Sequence, residues 1–191
     1  MTVYKSLILA FWLALIVFWL IMAGGAKRST GGWEWRRELG FRLVILIFVV
    51  VALKSPAFRR EMWTLQMHLD EAGSIIDPLG VALCGAGAGL AIWARVQLGR
   101  NWGMPMSRRE EPELVTTGPY GLVRHPIYGG LLVAMLGSAI AGSVYWALPL
   151  VLIGTYFVYS ARSEEELMIS QFPEKYPEYM RRTKMLLPYL V

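Results

Sequence analysis

The feature that most constrains this chain is a predominantly apolar run over residues 127–159. A hydrocarbon core of about 30 Å is crossed by about 20 mostly apolar helical residues. At 1.5 Å of rise per residue the run is too long for one pass, so it must fold back on itself, and Gly142-Ser143 is the natural break. Three further apolar blocks precede it. The first, residues 7–23, follows Lys5 and is followed by Ala23, Gly24, Gly25 and Ala26, which resembles a signal peptide. It is longer than a signal h-region and carries Trp12 and Trp19, so it is read as a retained first helix. The second, residues 41–53, spans only if Arg42 and Lys54 snorkel to opposite interfaces. The third covers residues 78–93, with Pro78 suited to a first helical turn. The expected fold is all-α, a polytopic integral membrane protein of about five transmembrane helices plus a cytoplasmic region.

Composition agrees. Of 191 residues, 55% are hydrophobic and only 17% charged, against about 25% charged in soluble domains. The lone cysteine, Cys84, excludes a disulfide framework, and with His68 and His125 it does not make a structural zinc set, so no metal is expected. The net charge of +5 would fit nucleic acid if the basic residues formed a stripe. Instead they flank the apolar blocks, which fits anionic lipid headgroups, and no nucleic-acid partner is expected. Fifteen of the nineteen lysines and arginines fall between blocks one and two, between three and four, or after the last. The positive-inside rule then puts the N-terminus outside and the C-terminus in the cytoplasm, in a prokaryotic-type inner or plasma membrane. Between blocks two and three, Phe58, Met62, Leu65 and Leu69 recur at helical spacing beside Trp63. They read as a short amphipathic helix on the membrane surface, with a polar loop as the alternative.

The Gly85-Ala-Gly87-Ala-Gly89 cluster is not a dinucleotide loop. The G-x-G-x-x-G spacing would need glycine at Leu90, and no strand precedes it. Gly85 and Gly89, in the G-x-x-x-G relation, are expected to permit close helix packing.

Chemistry-bearing residues concentrate in the expected cytoplasmic half: Leu98-Gly-Arg-Asn-Trp102, Glu113 to Gly118, Tyr120, Arg124-His125-Pro126-Ile-Tyr128 and Arg162-Ser-Glu164-Glu165-Glu166. Charged groups at membrane-helix ends are costly unless they face a polar cavity, which makes them site candidates. Tyr120, Arg124, His125 and Tyr128 bracket a helix start, where free N–H groups favour a carboxylate or phosphate. Glu164 and Glu165 can pair with a cation, and tyrosine faces can hold one. A ligand carrying a carboxylate, an ammonium and a sulfonium would use all three features. Residue by residue, an interfacial belt of headgroup anchors explains the same charges; their joint arrangement favours a site.

Gly118-Pro-Tyr120, Arg124-His-Pro-Ile-Tyr128 and Glu164-Glu165, followed by Phe172, Tyr176 and Tyr179, resemble the isoprenylcysteine carboxyl methyltransferase family and its phospholipid N-methyltransferase relatives. The resemblance covers about residue 98 to the C-terminus and departs at Pro173, where a glycine usually follows the phenylalanine. It implies an S-adenosylmethionine enzyme with a non-Rossmann pocket, yielding S-adenosylhomocysteine. Cofactor contacts would come from Leu114, Val115, Gly118, Tyr120, His125, Pro126, Tyr128, Glu164 and Glu165, and the catalytic group would be Arg124, His125 and Glu165. His125 and Glu165 are the only nearby groups able to act as a base, and neither is assigned that role. Residues 1–97 would then be a helical and interfacial scaffold, and 98–191 the catalytic region. The acceptor would be a membrane lipid, a lipophilic small molecule or a lipidated substrate reached from the bilayer. A phospholipid N-methyltransferase or small-molecule methyltransferase is the alternative, with a membrane reductase or a non-catalytic membrane protein behind it.

Overall fold

A computed structural model describes residues 3–22, 33–99 and 113–188. The glycines and cations just after the first apolar block, and the Arg-Asn-Trp segment beyond Gly99, lie outside the described residues. Among the described residues six α-helices follow in order: α1 (Val3–Met22), α2 (Trp33–Lys54), α3 (Pro56–Leu98), α4 (Pro126–Ala141), α5 (Ala147–Gln171) and α6 (Lys175–Arg182). Short 3-10 turns occupy Gly118–Gly121 and Val144–Trp146. Among the described residues there is no strand, only an isolated parallel bridge between Val123 and Lys184.

Among the described residues, three helical stretches are long and apolar enough to cross a membrane: Val3–Met22, Ile76–Leu98 and Val144–Gln171. The expected second span, within α2, does not reach that standard, and α4 is apolar but only 16 residues long. At 1.5 Å per residue α4 is about 24 Å, short of a full hydrocarbon core. The expected break at Gly142-Ser143 is the turn between α4 and α5.

Helix α3 corrects two expectations. Ser55 caps it, its hydroxyl accepting from the Phe58 amide at 3.4 Å, and Pro56 opens the first turn. Pro78, expected to start a helix, lies inside this one. The Gln66 side-chain oxygen accepts from the Val144 amide at 2.8 Å, while Ala141 sits against Gly80. Pro78 has no N–H and a ring that crowds the preceding turn, yet the helix runs through it from Pro56 to Leu98. The amphipathic segment is thus the N-terminal part of this long helix, which removes the polar-loop alternative. Phe58, Met62 and Gln66 form its half-buried face, whereas Leu65 is exposed. This part lies against the α4–α5 turn, with Tyr145 donating to the Arg59 carbonyl at 3.3 Å and its ring 6.3 Å from Phe58.

The second correction concerns the glycines. Close packing does occur, but through Gly80 and Gly87 of α3 against Gly130, Ala134, Gly137 and Ala141 of α4. Gly85 instead meets the Phe11 ring of α1, and a β-carbon on Gly89 would meet nothing within 4 Å. A β-carbon at Gly87 would overlap the backbone of Gly130 and Ala134. Gly87→Leu is therefore expected to force the two helices apart and cost at least about 1–3 kcal/mol. Gly89→Leu should be nearly neutral, and comparing the two melting temperatures in detergent checks the register. Beside the α3–α4 contact, Trp12 of α1 stacks on Trp146 at 5.0 Å and donates to Ser138 at 2.9 Å, locking α1 to the bundle.

Candidate functional site

The α4 start and the end of α5 meet although 41 residues of chain separate Arg124 from Glu165. Arg124 and His125 precede Pro126, which begins α4, having no N–H to leave unsatisfied. The apolar half of α5 runs on without interruption into Ser160, Glu164 and Glu165, so one continuous helix carries the carboxylates to α4. Arg124 Nε lies 2.5 Å from Glu165 Oε1, with the side chains only 9% and 8% exposed. The same guanidinium donates to the Met180 carbonyl at 3.3 Å and to the Thr183 carbonyl. Glu165 is thus committed to Arg124 and to His125 Nε2 at 3.4 Å. Glu164 is more open, its side chain 24% exposed. It accepts hydrogen bonds from Tyr128 and, at 3.2 Å, from Ser160, and it lies 3.6 Å from His125 Nδ1.

An aromatic stack fixes these groups. His125 and Tyr128 are parallel with centroids 5.6 Å apart, and Tyr128 lies 4.4 Å from Phe157, also stacked. Ser160 and Phe157 were absent from the expected site. Their signal was available: Phe157, Ser160 and Glu164 fall at i, i+3 and i+7, one face of α5.

Burial of His125 favours its neutral form, but the carboxylates of Glu164 and Glu165 outweigh that and raise its pKa above the ordinary histidine value. A raised folded value means that the imidazolium stabilises the fold fully below an unfolded value of about 6.5. That contribution is lost as pH rises through the folded value. Proton NMR of the imidazole should show His125 titrating above the ordinary range, and Glu164→Gln should lower it. Titration at or below the ordinary value in the unmodified chain would refute the two-carboxylate environment.

The other expected residues lie beside this cluster. Pro126 is fully buried under the helix start and Tyr120 is buried in the Gly118–Gly121 turn. Gly118 has φ +61°, a left-handed conformation that suits glycine, and a β-carbon there would press on the Gln97 side chain. Gln97 in turn donates to Thr117 at 2.8 Å, tying the end of α3 to this segment. Leu114 and Val115 are half-buried, and Leu114 lines a cleft of about 750 Å³ with Glu113, Thr116, Gly121, Phe172, Lys175, Glu178, Tyr179, Arg182 and Thr183. Tyr179 forms the wall between cleft and turn, donating to the Tyr120 carbonyl at 2.5 Å. Burial pushes its phenol up to about 12, and burial and the Glu165 carboxylate raise Tyr176 further, so both remain neutral donors. The expected free N–H groups at the α4 start are partly used: those of Arg124 and His125 donate to the Lys184 and Met185 carbonyls.

Sequence comparison decides the family. Residues 76–175 match the phospholipid methyltransferase family, spanning α4, α5 and the whole Arg124–Glu165 cluster. The chain belongs to the phospholipid methyltransferase family. It is also 30% identical over 169 residues to the cobalt-zinc-cadmium resistance protein CzcN of Cupriavidus metallidurans, covering 87% of this chain and 70% of that protein. With the nickel-cobalt-cadmium resistance protein NccN of Alcaligenes xylosoxydans xylosoxydans it shares 40% over 158 residues, 81% of this chain and 66% of the relative. Family membership and the three apolar helices make this a membrane protein of methyltransferase type.

Proposed function

We propose that this phospholipid methyltransferase family member is an S-adenosylmethionine-dependent integral membrane methyltransferase. It acts in the manner of an isoprenylcysteine carboxyl O-methyltransferase on a lipophilic or membrane-associated acceptor. The observation that carries this reading is the convergence of Glu164, Glu165, Arg124, His125 and Tyr128 beside the cleft. The donor set fits such a cofactor. Glu164 keeps an exposed edge for an ammonium, and buried His125 Nε2 makes an ion-pair contact with Glu165 at 3.4 Å but no aligned hydrogen bond among the described residues. The cleft is of a volume that holds a nucleoside-sized ligand. When bound, the cofactor supplies an electrophilic methyl group that is already activated.

The protein's own part is alignment and exclusion of water. Leu114, Val115, Gly118 and Tyr120 would form the wall that takes the adenosine portion. Arg124 and Glu165, satisfied by one another, hold the α4 start against α5. A carboxylate acceptor needs no base, whereas an amine must first lose a proton. The family description favours an aminophospholipid as the second reading of the acceptor. Radiolabelled methyl transfer into a membrane extract tests both. Label released by alkali indicates a methyl ester, stable label in lipid indicates N-methylation, and no labelled product overturns the proposal.

Five spans form part of the same proposal: α1, α2, residues 76–98 of α3, α4 and α5, with the cluster at the cytoplasmic side. Residues 98–191 would carry the catalytic region and 1–97 its scaffold. Cysteines placed at Glu61 and Glu174 should react with an impermeant thiol reagent from outside and from the cytoplasm respectively. The native Cys84 is buried and gives little background. Reaction of both from one side would sink this topology. From the names of the two relatives we extend a role in metal resistance. A strain lacking the protein should lose tolerance to cobalt and cadmium, regained with the intact chain and not with Glu164→Gln. Undiminished tolerance would remove that role.

A further inference from the structure

Beyond α6 the chain doubles back onto the start of α4. The Arg124 amide donates to the Lys184 carbonyl at 2.8 Å and the His125 amide to the Met185 carbonyl at 2.9 Å. The Arg124 guanidinium returns the contact by donating to the Thr183 and Met180 carbonyls. The Leu186 carbonyl lies over Gly129, so close that a β-carbon there would overlap it. The Leu186 side chain is buried, and so is Thr183, whose hydroxyl donates to the Tyr179 carbonyl at 2.8 Å. Thr183 also lines the cleft. The family match ends at residue 175, before this segment begins.

We propose that residues 183–186 form a strap that positions the reacting cluster, with Thr183 and Leu186 as positioning residues. The first residues of a helix have no intrahelical carbonyl partners and fray unless something holds them. Here the two residues held are the two whose side chains meet Glu164 and Glu165. The strap fixes them twice, through the backbone of residues 124 and 125 and through the Arg124 side chain. Its other edge is a wall of the cleft, so the same segment sets the distance between cleft and cluster. Leu186 drives the docking by apolar burial, and Gly129 permits it by leaving room for a carbonyl.

The inference rests on the methyltransferase reading for its kinetic consequence and stands alone in its structural one. In the full chain purified in detergent, hydrogen exchange at residues 124 and 125 should be slow. Leu186→Ala and Gly129→Ala should speed it. Turnover per cofactor-bound protein should fall on the order of tenfold to a hundredfold in both, as expected for a misplaced catalytic group. Leu186→Met conserves volume and should stay within a few fold of the intact chain. A merely structural role would reduce the amount of folded protein and leave the turnover of the bound fraction unchanged. Should Gly129→Ala fail to accumulate, Leu186→Ala decides. Unchanged exchange at residues 124 and 125, or faster exchange with unchanged turnover, overturns the strap. If the intact chain transfers no methyl group, the methyltransferase reading fails, and the strap is still judged by its exchange.

Discussion

Replacing Arg124 with alanine is expected to cost about 3–5 kcal/mol of stability, the range for breaking a buried ion pair by removing one partner. Arg124 Nε sits 2.5 Å from Glu165 Oε1 with both side chains nearly inaccessible. Alanine would leave that carboxylate buried with only His125, at 3.4 Å, as a cationic neighbour. It would also strip the side-chain donor from the Met180 and Thr183 carbonyls. Glu165→Leu alone should be comparably costly, because it leaves a guanidinium in the same surroundings. Combining Arg124→Ala with Glu165→Leu should recover part of the loss, since an apolar pair carries no uncompensated charge. The three variants and the intact chain form a double-mutant cycle, read by thermal unfolding in detergent, with a coupling energy of about 1–3 kcal/mol. Methyl transfer should be lost in all three. Single variants as stable as the intact chain would show that the pair does not hold α4 to α5.

Crossing a bilayer is a length requirement, and composition states length directly. For that reason the apolar blocks and the Gly142-Ser143 turn are legible without a structure. The passage of one helix through Pro78 is not. A proline after a polar stretch reads as a helix start, and only the backbone shows that the helix runs on from Pro56 to Leu98. The glycine cluster fails for a different reason. With small residues at Gly85, Gly87 and Gly89, several registers look equally open. The choice is made by the partner, whose Gly130 and Gly137 are seven residues apart and match Gly80 and Gly87.

Within the site, Arg124, His125, Tyr128, Glu164 and Glu165 stand out because charge and tyrosine are expensive at a membrane-helix end. Ser160 and Phe157 do not stand out, since a serine and a phenylalanine inside an apolar helix are ordinary content. Only their spacing before Glu164 marks them. The strap was invisible in sequence: 183–186 is a short Thr-Lys-Met-Leu segment with no distinctive pattern, and its role comes from backbone carbonyls that every residue possesses.

Changing Glu164 to glutamine separates binding from folding in a way that no change at Arg124 can. Glu164 is the member of the cluster with an open edge, and its bonds inside the protein are accepted from the Tyr128 and Ser160 hydroxyls. A glutamine carbonyl has the same shape and accepts the same bonds, so the melting temperature should move little. What disappears is the negative charge offered to a bound ammonium. Removing one partner of a desolvated charge pair typically costs about 2–5 kcal/mol, a fall in affinity of more than about tenfold. Isothermal titration with S-adenosylhomocysteine measures it, with Glu166→Gln as the control, because Glu166 lies on the exposed side of the same helix turn. The neighbouring histidine supplies a second reading on the same variant. His125 loses one of the two carboxylates that raise its pKa, so its titration should shift toward lower pH. A shifted histidine with unchanged affinity would leave the cluster as built and remove the cofactor from it. An unchanged histidine would mean that the 3.6 Å contact between the two side chains does not form in solution.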